Sequence, residues 1–169
     1  MAVHVLQGAR DETDCPDPDA FDLCRCDAAV RYRPVSLRRL TDFLGVWRVE
    51  RSIRQDDGVE GRFEGTAEWR PEAGGALYRE TGQVWLGGQG PFLAERSNRW
   101  ATDLQVFFED GRFFHHVPPQ GGEVAHWCPP DQYDGVYDFA RWPVWQVTWR
   151  VDGPRKAYVS STTYTRAGT

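Results

Sequence analysis

Apolar and polar residues alternate with a period of two from Gly45 almost to the end of the chain. In residues 62–70, for example, Phe63, Ala67 and Trp69 fall on one face while charged residues fall on the other. This alternation is typical of strands with one buried and one wet face. Turn signals separate the segments at intervals of roughly ten residues, which predicts a meander of short strands. The predicted strands cover residues 46–54, 62–70, 76–85, 92–100, 104–108, 112–117, 123–128, 133–139, 144–151 and 156–166.

The short connections between these strands favour an up-and-down order. About eight to ten strands in that order are most economically closed into a barrel. We therefore predict an all-β fold, a single up-and-down antiparallel β-barrel. Before it, Leu37, Leu40 and Phe43 recur at helical spacing with Ser36 as an N-cap, which predicts a short N-terminal helix.

Residues 1–35 differ from the rest, because the stretch Asp11–Asp19 within them is acidic, punctuated by proline and almost without apolar residues. We predict a disordered tail over 1–35 and a barrel domain over 36–169. Cys15, Cys24 and Cys26 lie in this tail. A metal or redox site is one interpretation, but the C-x-C spacing is not a standard zinc pattern, and incidental cysteines are the simpler interpretation.

The composition limits which partners and which cellular compartment we expect for this protein. A net charge of −5 argues against nucleic acid as a partner, because such proteins carry a basic stripe. No apolar run approaches the roughly 20 residues of a membrane span. The first residues lack a basic region followed by a long apolar one, so we expect a cytoplasmic protein, either a monomer or a homodimer.

The entry into the first strand, Gly45-Val46-Trp47, resembles the G-x-W signature of lipocalins and related calycins. In those proteins the tryptophan plugs the base of the barrel, and an arginine from the last strand packs across its ring. Arg166 matches that arginine in type and position. A cation–π contact of this kind contributes about 0.5–2 kcal/mol. The resemblance covers residues 36–166 and implies structural roles for Gly45, Trp47 and Arg166.

The chain resembles still more closely an uncharacterised bacterial calycin-like family that is known as a domain of unknown function. The resembling residues are Phe43-Leu44-Gly45-x-Trp47-x-x-x-Arg51, His126-x-Cys128-x-x-Asp131-x-Tyr133-x-Gly135-x-Tyr137 and Gly153-Pro154-x-Lys156-x-Tyr158. This resemblance implies the fold and no established activity. No glycine-rich haem-binding pattern is present, so haem is not expected, and we expect no other cofactor.

Two arginines are predicted to point into the barrel. Arg51 shares a strand face with Trp47, and an arginine inside a barrel must be paired or bind an anion. One interpretation is an internal salt bridge, for which Glu80 is a candidate, and the other is an anchor for an anionic ligand. Arg96, on the inward face of its strand, would add a second cation, and two guanidinium groups favour a carboxylate or phosphate ligand.

The stretch from residue 126 to 137 is the most unusual in the chain. His126 and Cys128 share a strand face, Asp131 and Tyr133 follow a Pro-Pro corner, and His115 lies on the preceding strand. Four interpretations remain open. They are a metal site of His115, His126 and Cys128, a Cys128 nucleophile with His126 as base, a His126–Asp131 acid–base pair, and plain hydrogen bonding around a tight corner.

The last strands would place several rings and hydroxyls inside the barrel, Trp149 and Tyr158 among them. Such walls suit a small-molecule pocket, although the same rings could fill the barrel completely. The leading hypothesis is a binding protein for a small, partly apolar molecule with an anionic group. The alternatives are a small enzyme that uses His126 and Asp131, and a structural barrel without a cavity. The candidate ligand-binding residues are Arg51, Arg96, His115, His126, Tyr133, Trp149 and Tyr158, and no metal site is expected.

Overall fold

The computed structural model describes residues 36–168, and the predicted tail with its three cysteines lies outside them. One short helix and ten strands make up the described part. The elements are α1 (Leu40–Phe43), β1 (Gly45–Gln55), β2 (Glu60–Glu72), β3 (Gly75–Leu86), β4 (Gln89–Ala101), β5 (Gln105–Phe107), β6 (Phe113–His116), β7 (Gly122–Cys128), β8 (Asp131–Asp138), β9 (Trp145–Asp152) and β10 (Ala157–Arg166). Among these residues, no helix is long and apolar enough to cross a membrane.

All ten strands form one antiparallel sheet in the order β6-β5-β4-β3-β2-β1-β10-β9-β8-β7. The last strand pairs with the first, from Trp47 opposite Arg166 to Gln55 opposite Tyr158. The sheet therefore curls into a nearly closed barrel, and the predicted up-and-down barrel is confirmed. We call the end where β1 begins the base, and the end where β1 finishes the upper end.

The barrel closes at β1 and β10, and its gap lies between the terminal strands β6 and β7, which the sequence predicts as a hairpin. The connection between them begins with Val117, whose N–H donates to the carbonyl of Leu104, the residue just before β5. Pro118 and Pro119 follow, and proline has no N–H to donate to a ladder. The two strands consequently face each other without ladder pairing in the described part of the chain.

The helix is shorter than predicted and begins after Arg39, so the prediction of an N-cap at Ser36 was wrong. The N–H of Arg39 donates to the carboxylate of Asp42 at 2.8 Å. The N–H of Arg38 instead donates to the carbonyl of Pro119 at 2.7 Å, so the backbone before the helix is held by a loop. Leu37 remains 63% exposed, and only the buried Leu40 and Phe43 dock the helix onto the barrel.

Aromatic residues close the base of the barrel. The ring of Phe43 lies at its centre, with five other rings 5.3–6.0 Å from it between centroids. Those five rings belong to Trp69, Trp100, Phe139, Trp142 and Trp145. Trp47 is fully buried beside them, and its indole N–H donates to the carbonyl of Phe43 at 2.7 Å. Because so much ring area is buried here, the main core lies at the base.

The wall of the barrel is low at β5 and β6, which contain only three and four residues. The 13-residue strand β4 pairs with β5 only through Arg99 and Trp100. Residues 89–98 of β4 therefore have no ladder partner on that side among the described strands. We call this opening above the β5–β6 hairpin the side notch, and it gives access to the upper interior.

Candidate functional site

The first candidate group lies on β1, β3 and β10, where Arg51 and Glu80 form an internal salt bridge. The two guanidinium nitrogens Nη1 and Nη2 of Arg51 donate to the two carboxylate oxygens of Glu80 at 2.9 and 2.6 Å. Its Nε donates to the hydroxyl of Thr162 at 2.7 Å. The side chains of Arg51 and Glu80 are only 12% and 3% exposed. Of the two interpretations of Arg51, the structure therefore shows the salt bridge.

Glu80 also accepts hydrogen bonds from a second arginine and a tyrosine. Nη2 of Arg96 donates to Oε2 of Glu80 at 3.1 Å, and the hydroxyl of Tyr78 donates to the same oxygen at 2.6 Å. Burial alone would raise the pKa of Glu80, but the guanidinium groups of Arg96 and Arg51 outweigh it and lower the pKa to about 2. The carboxylate is therefore ionised. Two positive charges share one negative charge, so one positive charge in this group remains unbalanced.

Arg96 is the accessible member of this group. Its side chain keeps 48% of its surface exposed, beside the side notch, while Arg51 and Glu80 are nearly enclosed. A guanidinium group carries five N–H donors. Within the described residues, the hydrogen bonds of Arg96 use Nη2 alone, to Glu80 and at 3.5 Å to Tyr78. Its Nε and Nη1 are consequently free to bind an acceptor that enters the barrel.

A small cavity of about 40 Å³ lies inside the barrel next to Arg96. Its lining is mainly aromatic and includes Trp69, Tyr78, Trp145 and Tyr164. A water molecule needs about 10–15 Å³ in the same measure, so the cavity has room for about three waters. In this conformation the cavity, which is partly open to solvent, is therefore too small for a ring.

His115 lines the same cavity and is buried against Tyr137. Its Nε2 lies 2.8 Å from the Tyr137 hydroxyl. Burial, with the nearby His126 and His116, lowers the pKa of His115 to about 3, so its ring is neutral at physiological pH. Burial likewise raises the pKa of Tyr137, which keeps its proton. A neutral imidazole next to a protonated phenol can bind polar groups but carries no charge of its own.

Phe114 links the residues of the upper interior, and sequence reasoning missed it. Its ring stacks on Trp149 at 5.2 Å and contacts the rings of His115 and His126 at 4.4 and 5.0 Å. A register shift between β5 and β6 interrupts the alternation, so Phe114 and His115 are both turned inward while Phe113 is 50% exposed. The run of four aromatic residues in β6 contains no signal that would locate such a shift.

Asp131 and His126 are not brought together as an acid–base pair. The carboxylate of Asp131 lies 2.8 Å from Nζ of Lys156, which also donates to the hydroxyl of Tyr133 at 2.6 Å. His126 lies opposite Tyr133 in the ladder, and Asp131 lies opposite Cys128. Among the described residues, His126 therefore has no carboxylate to orient it. Sequence reasoning did not predict a role for Lys156, and its position in the motif Gly153-Pro154-x-Lys156-x-Tyr158 was the only sign of one.

The described residues contain no group of three His, Cys, Asp or Glu that could hold a metal ion. His115, His126 and Cys128 are therefore not gathered into one ligand set. Cys128 is a partly exposed free thiol. Tyr158 lies opposite Gln55 at the upper end, where it is half-buried and burial raises its pKa.

At the base, the contact that the calycin resemblance implies is present. The guanidinium carbon of Arg166 lies 4.3 Å from the centroid of the Trp47 ring, and its Nη2 donates to the carbonyl of Asp42 at 2.7 Å. Gly45 has a positive φ of 101°, and a Cβ there would lie 3.1 Å from Arg166. A glycine at this position therefore lets the chain turn from α1 into β1 beneath the arginine.

Comparison with solved structures finds one that shares this fold. The S-type phycobiliprotein lyase CPES from Guillardia theta superposes with a TM-score of 0.57 at 10% identity, over 77% of this chain and 91% of the lyase. A de novo designed fluorescence-activating β-barrel is matched at a TM-score of 0.38 and 19% identity, over 75% of this chain and 96% of the design. At such identities the lyase shows the fold alone, a calycin-like barrel.

Comparison of sequences places the chain more specifically. No curated protein matches it. A family model does match, and it spans residues 43–166. The match runs from Phe43, at the centre of the base, to Arg166, which packs on the Trp47 ring. The chain therefore belongs to the family of unknown function DUF6314.

Proposed function

We propose that the upper half of the barrel binds a small, partly apolar molecule through an anionic group, and that Arg96 binds this group. The observation that carries the proposal is the unbalanced positive charge of two arginines on one buried carboxylate. Arg96 carries the uncompensated charge and is half-exposed, so an anionic group that approaches it would balance this charge. Arg51 and Glu80 then hold the guanidinium of Arg96 in place, because Glu80 is bonded to both arginines.

Aromatic side chains would contact the body of the ligand. Phe114 and Trp149 line the same space as Arg96, and the ring of Phe114 also contacts those of His126 and Tyr133. Tyr158 lies at the upper end of β10, opposite Gln55. Rings of this kind bind apolar surface and leave a few polar groups to set the orientation. The cavity admits only a small group, so the body of the ligand would occupy the open space next to the side notch. The proposal needs no cofactor.

A thermal-shift screen tests the proposal. The probes are benzoate, indole-3-acetate and decanoate, with benzyl alcohol, indole and decanol as uncharged counterparts, in buffer of low ionic strength. We expect at least one carboxylate to raise the melting temperature, because a ligand that binds only the native state at about 100 times its Kd adds about 2.7 kcal/mol of stability. We expect its uncharged counterpart to have no such effect.

Arg96→Gln is the informative variant, because it leaves the Arg51–Glu80 salt bridge in place. Arg99→Gln is the matched control, since Arg99 lies on the same strand with its side chain 63% exposed and on the outer face. We expect Arg96→Gln to abolish the shift and Arg99→Gln to retain it. Equal shifts in the two variants would refute a role for Arg96.

The small volume of the cavity favours a second candidate function, a structural barrel that binds nothing inside. About 40 Å³ is within the space of a few water molecules. This candidate predicts that no probe shifts the melting temperature of the wild-type protein. The screen therefore separates the two functions directly.

A further inference from the structure

Three buried side-chain nitrogens in the described part of the chain have no hydrogen-bond partner. They are the indole Nε1 atoms of Trp69 and Trp145 and Nδ1 of His115. The three residues are only 1%, 2% and 3% exposed. Native proteins rarely leave such groups unpaired, and an exception points to a bound water, ion or ligand. By contrast, the equally buried indole of Trp47 has the carbonyl of Phe43 as its acceptor.

All three residues line one cavity, the space of about 40 Å³ next to Arg96. Nearby hydroxyls do not serve as their acceptors. The Tyr78 hydroxyl is bonded to Glu80 and to the hydroxyl of Tyr164. The residues that carry the unpaired nitrogens and Arg96 therefore line the same small space.

Each of the three nitrogens presents a donor. An indole Nε1 can only donate. For His115, the neutral ring pairs with Tyr137 in one of two ways. If Tyr137 donates to Nε2, the phenol proton has an acceptor and the imidazole proton lies on Nδ1. In the other tautomer, the Tyr137 proton would have no acceptor among the described residues. The first tautomer satisfies more groups, and it makes Nδ1 the third donor.

We propose that this cavity binds the carboxylate of the ligand, with the indole N–H groups of Trp69 and Trp145 as donors to its oxygens and Arg96 as its counter-ion. The inference rests on the proposed function and deepens it, because it names the anionic group and its position. The unpaired groups of the residues that line this cavity are donors, and its one charged side chain is a cation, which suits an acceptor-only group. Its volume, about three waters, matches the three heavy atoms of a carboxylate and not the five of a phosphate.

The test is an NMR titration of the wild-type protein labelled with ¹⁵N at the tryptophan indoles. Acetate and benzoate are the probes at neutral pH, and Trp69→Phe and Trp145→Phe serve to assign the two signals. Trp127, which is 59% exposed, is the internal control. We expect the indole protons of Trp69 and Trp145 to move downfield along one saturation curve while Trp127 stays unchanged. In Arg96→Gln, we expect the apparent Kd to rise at least tenfold.

The outcomes separate this inference from the proposed function. If a carboxylate binds through Arg96 but neither buried indole moves, the ligand lies outside the cavity and the inference is wrong while the proposed function stands. If saturating carboxylate leaves both indole protons in contact with long-lived water, the cavity is a water site and the inference is again wrong. If no carboxylate binds, the proposed function fails together with the inference. The chemical-shift changes are read from the wild-type protein, and variants serve only to assign the two signals and to test Arg96.

Discussion

The buried imidazole of His115 makes the stability of the barrel depend on pH between the pKa of an ordinary histidine and the lowered pKa of this one. His115 is 3% exposed, and its pKa is lowered from an ordinary value of 6.5 to about 3 by burial and by the neighbouring His126 and His116. The unfolded chain takes up a proton on this residue below about pH 6.5, whereas the native protein does so only near pH 3. The contribution of His115 is therefore fully present above pH 6.5 and is lost as the pH falls towards 3.

The magnitude follows from the separation of the two pKa values. Each pH unit between them is equivalent to about 1.4 kcal/mol. Between about pH 7.5 and pH 4.5, the free energy of unfolding should therefore fall by about 3 kcal/mol because of His115 alone. Ordinary carboxylates begin to take up protons towards the lower end of this window, so the effect of His115 is read from the difference between two variants, while Glu80, with a pKa of about 2, stays ionised throughout.

Urea unfolding followed by tryptophan fluorescence measures this dependence. The wild-type protein and His115→Gln are compared at several pH values across the window. We expect the His115→Gln profile to be flatter than the wild-type profile by about 3 kcal/mol. A His115→Gln profile as steep as that of the wild-type protein would refute the low pKa of the buried imidazole.

Two further predictions concern stability. Gly65→Ala should destabilise the barrel by about 3 kcal/mol or more, because a Cβ at Gly65 would lie 2.2 Å from the backbone oxygen of Thr81. Gly168→Ala is the control and should change the stability little, because a Cβ there would meet nothing within 4 Å. Thermal melts compare them, and equal melting temperatures would show that the strands can separate at no cost. Arg166→Gln should lower the free energy of unfolding by about 1–3 kcal/mol, because it removes the cation over the Trp47 ring and a charged hydrogen bond. A urea unfolding curve that matches that of Gly168→Ala would contradict this prediction.

The alternation of side chains along the sequence was enough to predict the ten strands and the direction of most inward residues. Phe63, Ala67 and Trp69 are buried on one face of β2 as predicted. The order of the strands also followed, because short connections leave little choice except to pair consecutive strands. The exception is the pair β6 and β7, which the sequence predicts as a hairpin but which form the two unpaired edges of the sheet. Local periodicity does not show which consecutive strands pair.

The partners of the inward charges depended on tertiary structure. The sequence placed Arg51 inside the barrel and suggested Glu80, but it left a ligand anchor equally open. Only the register of β1, β2, β3 and β4 shows that Glu80 is shared with Arg96. Likewise, Asp131 is close to His126 along the chain, yet its carboxylate lies on Lys156 in the folded barrel.

The sequence by itself thus determined the class of fold, its base and the face of each strand, because a side chain's face follows from its position in a period of two. The tertiary structure decided which charges pair, that Phe114 turns inward beside His115, and that the cavity is only about 40 Å³. Those features depend on how strands that are distant in the chain align and how their side chains share one volume. No local pattern contains that information.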